Sequence, residues 1–201
     1  MLLCSPASPY SSKVRMAALC CGFQMREQFV TTAEEPALLI DANPLGKIPT
    51  LLLDDGRVIF DSSVIVRYLD QQCGGLFGSH PDEVIENARL EALSDGITDA
   101  ALSIVYERRF RPKEAIHEPW LERQWRKIVR SLSALESALP GFEHSPRIGA
   151  IGARVALAYL SLRFSGHWEE RHEALLGWAD HFDDAYPHLM GCLPADVQSK
   201  V

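Results

Sequence analysis

Residues 43–70 read NPLGKIPTLLLDDGRVIFDSSVIVRYLD. Pro49 to Leu53 is a β-rich run, Asp54-Asp55-Gly56 is a turn sequence of the hairpin kind, and Val58-Ile59-Phe60 is the returning strand. A proline can open such a strand only where its missing N–H costs no ladder bond. Asp61-Ser62-Ser63 then marks a helix N-terminus, followed by the apolar positions Val64, Ile65, Val66, Tyr68 and Leu69 and ended by Gly74-Gly75. An antiparallel pair with a helix behind it closes a small sheet, so the residues upstream must supply the other strands.

Upstream, Leu2-Leu3-Cys4 is a short strand, Val14 to Cys21 carries apolar residues on a helix, Phe29-Val30 lies in a second strand, and Pro36 to Ala42 forms a short helix. The first part therefore reads βαβαββα. Beyond the turn formers of Gly74-Gly75 through Pro81 the pattern becomes helical almost throughout, with segments at about 82–111, 118–139, 149–165 and 171–185. Pro112, Pro119, Pro140 and Pro187 punctuate them. This change of period predicts an α+β domain over residues 1–78 and an all-helical bundle over 82–201.

The chain has 201 residues, 47% of them apolar and 23% charged, which is enough to bury a core without disulfide or metal staples. Its net charge of −7, with Lys and Arg scattered, gives no footprint for nucleic acid. The longest apolar stretch, Ile148 to Leu162, is interrupted by Gly and Arg and is shorter than the roughly 20 residues a membrane span needs. Cys4, Cys20, Cys21, Cys73 and Cys192 are odd in number, without CxxC spacing, and no basic-then-apolar leader opens the chain. A reduced, cytoplasmic protein is expected, with Cys4, Cys20 and Cys21 acting as small core hydrophobes. The seven histidines show no metal-ligand spacing with these cysteines, so no metal is expected.

Three stretches of the first domain carry chemistry. Ser8-Pro9 places a hydroxyl at the N-cap of the first helix, beside free N–H groups and the positive end of the dipole. As a bare pair it is a good helix start. As a site it would stabilise a sulfur anion by donation, because no His or carboxylate lies near in sequence to make Ser8 a nucleophile. Ile48-Pro49 suits a cis bond that turns the N–H and C=O of Ile48 outward to pair with a short peptide, the alternative being an ordinary trans proline after a loop. Asp61-Ser62 is a cap that also suits a carboxylate above the helix. Together a thiolate corner, a peptide-pairing proline and a carboxylate-binding helix start describe a site for a short cysteine peptide.

The stretch from Asn43 to Asp70, with the opening SPASPYSSKVR and the later EALSDGITDAAL, resembles the bacterial glutathione S-transferases. The resemblance runs over the whole chain and implies a thioredoxin-like amino-terminal domain with an all-helical second domain. It implies that Ser8 stands where the family places its catalytic Ser, Cys or Tyr. SPYS resembles a glutaredoxin CPYC with both sulfurs replaced by oxygen, which disfavours disulfide exchange. By the same resemblance Ile48 pairs with the cysteinyl part of glutathione, Pro49 is cis, and Asp61 with Ser62 holds the γ-glutamyl end. Lys47 either reaches the glycine carboxylate or stays solvated.

The resemblance further implies that the thiolate attacks a small hydrophobic electrophile in a pocket between the domains, and that the protein is a homodimer. Tyr10, Tyr106, Arg109 and Phe110 are candidates for that pocket, with Trp168 a further contributor; each could equally be a core or solvated residue. Two other readings fit the same family: glutathione-dependent thiol or peroxide reduction, and a non-catalytic partner like the stringent starvation proteins that contact RNA polymerase. One departure from the family pattern concerns the core helix of the second domain. Its usual capping Ser or Thr and the Asp three residues later are replaced by Arg147 and Ala150, so Ser145 or a repacked turn is expected to substitute.

Overall fold

A computed structural model of the chain describes residues 1–139, 141–142 and 145–196. Pro140, expected to punctuate the helices, lies outside them. Strand β1 (Leu2–Cys4) is fully buried and central. It pairs in parallel with β2 (Glu27–Phe29) and antiparallel with β3 (Thr50–Leu52), and β4 (Val58–Ile59) pairs antiparallel with β3, giving the order β2-β1-β3-β4. The second strand begins earlier than its apolar residues suggest, because β2 is an exposed edge with no alternating pattern to mark it.

Helix α1 spans Pro9–Cys20, starting five residues before the apolar run because Ser8 caps it and Pro9 has the backbone angle its first turn requires. The short α2 spans Ala37–Ala42 and α3 spans Ser62–Cys73. Helices α4 (Pro81–Phe110), α5 (Glu118–Glu136), α6 (Ile148–Phe164) and α7 (Glu173–Ala185) follow the helical periodicity closely. This is a thioredoxin-like unit followed by a helical bundle. Among the described residues no helix is long and apolar enough to cross a membrane.

Helix α6 is buried on nearly every side and runs beside α4 through the bundle. The two helices approach closely at Gly149, where an added Cβ would stand 2.9 Å from both Asn87 Oδ1 and Leu90 Cβ. Gly149→Ala is therefore expected to destabilise the protein by about 1–3 kcal/mol, read as a lowered midpoint in thermal denaturation. An unchanged midpoint would contradict the close approach.

At the start of α6 a repacked turn stands in for the missing capping pair, and the Arg147 side chain itself makes no cap. The Ile148 N–H instead donates to Leu76 O at 2.8 Å and the Arg147 guanidinium donates to Gly75 O, so the inter-domain segment itself finishes the helix. Ser145 lies beside the Cys20 thiol, which burial pushes up to about 11 against the hydrogen bond from Ser145.

The cysteines bring a correction. Cys21 and Cys73 form a disulfide, with Cα atoms 5.4 Å apart, where α1 and α3 end side by side. Their separation of 52 residues carries no local signal, so Cys21 read as a core hydrophobe. Cys4 and Cys192 are buried thiols and Cys20 a partly buried one; burial pushes Cys4 up to about 11.

Candidate functional site

The sheet gathers the candidate residues by its topology. Because β3 runs antiparallel to β1, Thr50 pairs with Leu3, and the end of β1 lies beside the start of β3. Because β4 runs back along β3, Ile59 pairs with Leu51, and the chain leaves β4 at that same end. Ser8, Ile48-Pro49 and Asp61-Ser62 are therefore brought to one end of the sheet, with the N-termini of α1 and α3 above it.

At the first N-terminus the Ser8 Oγ accepts from the Ser11 N–H at 3.2 Å. That bond uses an oxygen lone pair and leaves the hydroxyl hydrogen to donate elsewhere. The Ile48–Pro49 bond is cis, and neither backbone group of Ile48 is engaged by another described residue.

The loop bearing Ile48 is held by a residue that sequence reasoning passed over. Asn43, 1% exposed, donates from Nδ2 to Lys47 O at 2.9 Å and to Thr50 Oγ1 at 3.1 Å, and its Oδ1 accepts from Leu45 N at 3.0 Å. Thr50 Oγ1 in turn donates to Lys47 O at 2.9 Å. A buried amide with both ends satisfied fixes the register of this turn. The signal was an Asn just after a short helix, which on its own reads as a turn former. The Lys47 side chain makes no ion pair with a described residue.

At the second N-terminus Asp61 Oδ1 accepts from Ser63 N at 3.1 Å and Val64 N at 3.4 Å, leaving its other oxygen uncommitted. The Phe60–Asp61 peptide is also cis. Ser62 is buried as the first residue of α3. Behind it the Lys13 Nζ, on α1, lies 3.4 Å from Ser63 Oγ, 2.9 Å from Glu91 Oε1 and 2.6 Å from Asp95 Oδ2. Ser63 Oγ also donates to Asp95 Oδ2 at 3.2 Å. This cluster locks the first helix, the α3 cap and α4 together. Burial drives the Asp95 carboxyl up, with the Lys13 charge opposing it.

Tyr10 points to the same junction, its hydroxyl donating to Asp99 on α4. Burial first, and then Asp99, holds the Tyr10 phenol neutral well above its usual range. Tyr106 lies two turns further along α4 and packs edge-on against Phe110 with ring centres 5.3 Å apart, both rings exposed. Arg109 is exposed on the same turn. Beneath them is Tyr159 of α6, missed in the sequence: burial raises its phenol, Arg163 donates to it, and Tyr106 and Arg109 are near enough to act on its charge. Trp168 is the exception. It is buried at the far end of the bundle beside Trp125 and His167. Among the described residues no three His, Cys, Asp or Glu side chains gather as a metal-ligand set.

A structure from Methylobacterium radiotolerans, titled a glutathione S-transferase in complex with glutathione sulfonate, is 31% identical and matches 100% of this chain and 98% of its own, with a TM-score of 0.88. The chain belongs to the glutathione S-transferase family. The family model for the glutathione S-transferase N-terminal domain matches residues 7–72, the segment that holds Ser8, Ile48, Pro49, Asp61 and Ser62. A glutathione transferase family member from Pseudomonas fluorescens Pf-5, solved with bound glutathione, is 35% identical over 97% of this chain and 98% of its own, with a TM-score of 0.87. The uncharacterized GST-like protein YibF of Escherichia coli is 36% identical over 60% of this chain. That match spans 62% of the curated relative's length.

In this family member the two helix N-termini supply positive potential at one end of the sheet, beside the uncommitted oxygen of Asp61. The arrangement suits a ligand carrying both an anionic sulfur or carboxylate and an ammonium group.

Proposed function

We propose that the protein is a glutathione transferase whose Ser8 hydroxyl stabilises the thiolate of bound glutathione. The observation that carries this reading is the Ser8 oxygen accepting from its own helix while its hydrogen stays free, at the same sheet end as the unengaged backbone of Ile48. The glutathione in the similar Pseudomonas fluorescens structure supports the choice of ligand. Ile48 pairs its backbone with the cysteinyl residue as an added strand. Ser62 and the N-terminus of α3 take the γ-glutamyl carboxylate, the free oxygen of Asp61 takes its ammonium, and Lys47 takes the glycine carboxylate.

The thiol proton leaves to solvent, and the sulfur lone pair forms a carbon–sulfur bond to a small hydrophobic electrophile. The leaving group departs with its bonding electrons, or an activated double bond receives them. The exposed pair Tyr106 and Phe110, with Arg109 and the ring of Tyr10, forms the wall for that electrophile.

Calorimetric titration with reduced glutathione tests the binding half. Asp61→Asn keeps a capping side chain but removes the charge, and is expected to weaken binding by about 10-fold or more, the worth of one hydrogen bond to a charged group. Asp61→Ala should in addition cost about 0.5–2 kcal/mol of stability. No heat at millimolar glutathione, or equal affinity in Asp61→Asn, would overturn the assignment and turn attention to a non-catalytic role.

The protein acts as a homodimer, the first domain of one copy against the helical domain of the other. Leu45 at 61% exposure and Val64 at 51% on the first domain, with Ile85 at 69% on α4, supply apolar surface for that contact. Sedimentation at micromolar concentration should give twice the chain mass of 22.4 kDa; a single chain mass would refute the pairing.

A further inference from the structure

Helices α1 and α3 are each 12 residues long and end together: Cys21 caps the C-terminus of α1, and Cys73 is the last residue of α3. The Cys21–Cys73 disulfide therefore lies about 18 Å along the helices from Ser8 and Asp61, at the opposite end of the pair. Its two sulfurs differ in access. Cys73 is exposed, whereas Cys21 is half-buried against the core with its Sγ 3.8 Å from Leu69 O. A dissolved thiol or disulfide meets Cys73 first. The other thiols are poorly placed: Cys4 and Cys192 are buried, and Cys20 is half-buried beside Ser145 and Cys192.

Reactive thiolates are usually held at helix N-termini or beside cations. These two sulfurs sit at helix C-termini, where the dipole is negative, and neither last turn carries a basic residue. The dithiol is thus the disfavoured state, and the pair keeps its disulfide once formed. The bond also fastens the segment that joins the domains. Directly after Cys73, Leu76 N donates to Asp70 Oδ1 at 2.8 Å, Gly75 O accepts from the Arg147 guanidinium, and Leu76 O accepts from the Ile148 N–H.

We propose that Cys73 is a modification site for small disulfides such as glutathione disulfide, with Cys21 the resolving thiol that converts the adduct into a lock between α1 and α3. In the dithiol form the Cys73 thiolate attacks one sulfur of glutathione disulfide, releasing one glutathione and leaving the other bonded to Cys73. The Cys21 thiolate then attacks Cys73 Sγ, expels the second glutathione and closes the Cys21–Cys73 bond. The two protons lost by the cysteines are taken up by the two glutathione thiolates, and the pair is oxidised by two electrons as the small disulfide is reduced. No step uses Ser8 or a peptide bound there.

The test is intact-protein mass spectrometry with peptide mapping, on the full chain reduced, freed of reductant and exposed to glutathione disulfide. The parent chain should end as the Cys21–Cys73 disulfide without a lasting adduct. Cys21→Ser should stop with one glutathionyl group on Cys73, and Cys73→Ser should take up glutathione at least about 10-fold more slowly, as expected of a less accessible sulfur. Bis(2-hydroxyethyl) disulfide, which has no γ-glutamyl or glycyl end to engage the candidate glutathione site, should close the bond in the parent chain as well. Thermal denaturation of the parent chain needs no variant, and the oxidised form should melt about 4–16 °C above the dithiol for a bond closing so long a loop. A lasting adduct on the parent chain, an adduct on Cys20 in place of Cys73, or equal uptake by the two variants would each overturn the proposal. So would closure by glutathione disulfide alone, or equal melting midpoints for the two redox states.

Discussion

Ser8→Ala is expected to lower turnover with glutathione by about 10- to 150-fold while changing glutathione affinity little. The range corresponds to the roughly 1.5–3 kcal/mol that a hydrogen bond to a charged group contributes. The Ser8 Oγ already accepts from Ser11 N, so alanine also removes a helix cap, at a cost of about 0.5–2 kcal/mol in stability. The two effects separate with Ser8→Gly, since glycine serves as an N-cap nearly as well as serine but offers no hydroxyl. Steady-state kinetics should show both variants equally slow, and thermal denaturation should show only the alanine variant clearly less stable. Equal turnover in Ser8→Gly and the parent protein would remove the hydroxyl from the mechanism. A loss confined to KM would assign it to binding instead.

Lys13→Met is expected to have the largest effect on stability, about 3–5 kcal/mol, because it strands two carboxylates at a domain junction. Lys13 is 1% exposed and lies within 2.9 Å of Glu91 and 2.6 Å of Asp95; Glu91 is itself only 4% exposed. For a chain of this size the melting midpoint should fall by roughly 6–20 °C. The deficit should also depend on pH. Asp95 is already raised by burial against the attraction of Lys13, and without that charge it rises further. A carboxyl with a raised folded pKa keeps a proton that the unfolded chain releases, so folding is relatively favoured as pH falls through that raised value toward the ordinary carboxylate range. Thermal denaturation of the variant should show a smaller deficit near about pH 5 than near about pH 8. A change within about 0.5 kcal/mol at both, as at a solvated lysine, would contradict the buried cluster.

Local chemistry was legible in the sequence, and long-range pairing was not. The Ser8 cap, the hairpin around Gly56, the Asp61 cap and the proline after Ile48 each announce themselves within a few residues, and all stand in the structure. Their convergence follows from the strand order β2-β1-β3-β4, which the string βαβαββα does not by itself specify. Lys13 carries no mark of its role in the sequence, because its partners lie 78 and 82 residues away. Tyr10 and Asp99 are 89 apart, and Cys21 and Cys73 are 52 apart. Each of these pairs is made by packing α1 against another helix, and no spacing rule reaches that far. Trp168 misled for the related reason that a tryptophan near a helix end carries no mark of which cleft it faces.

The central claim is that this fold lowers the pKa of the glutathione thiol at Ser8, and the most direct measurement is a pH titration of the ultraviolet thiolate absorbance of the bound peptide. Free thiol ionises near about 8.5. The account predicts a midpoint about 1–2 units lower on the intact protein, with most of that shift lost in Ser8→Gly while glutathione stays bound. A midpoint that stays near the free value, or that is lowered equally in Ser8→Gly, would contradict it.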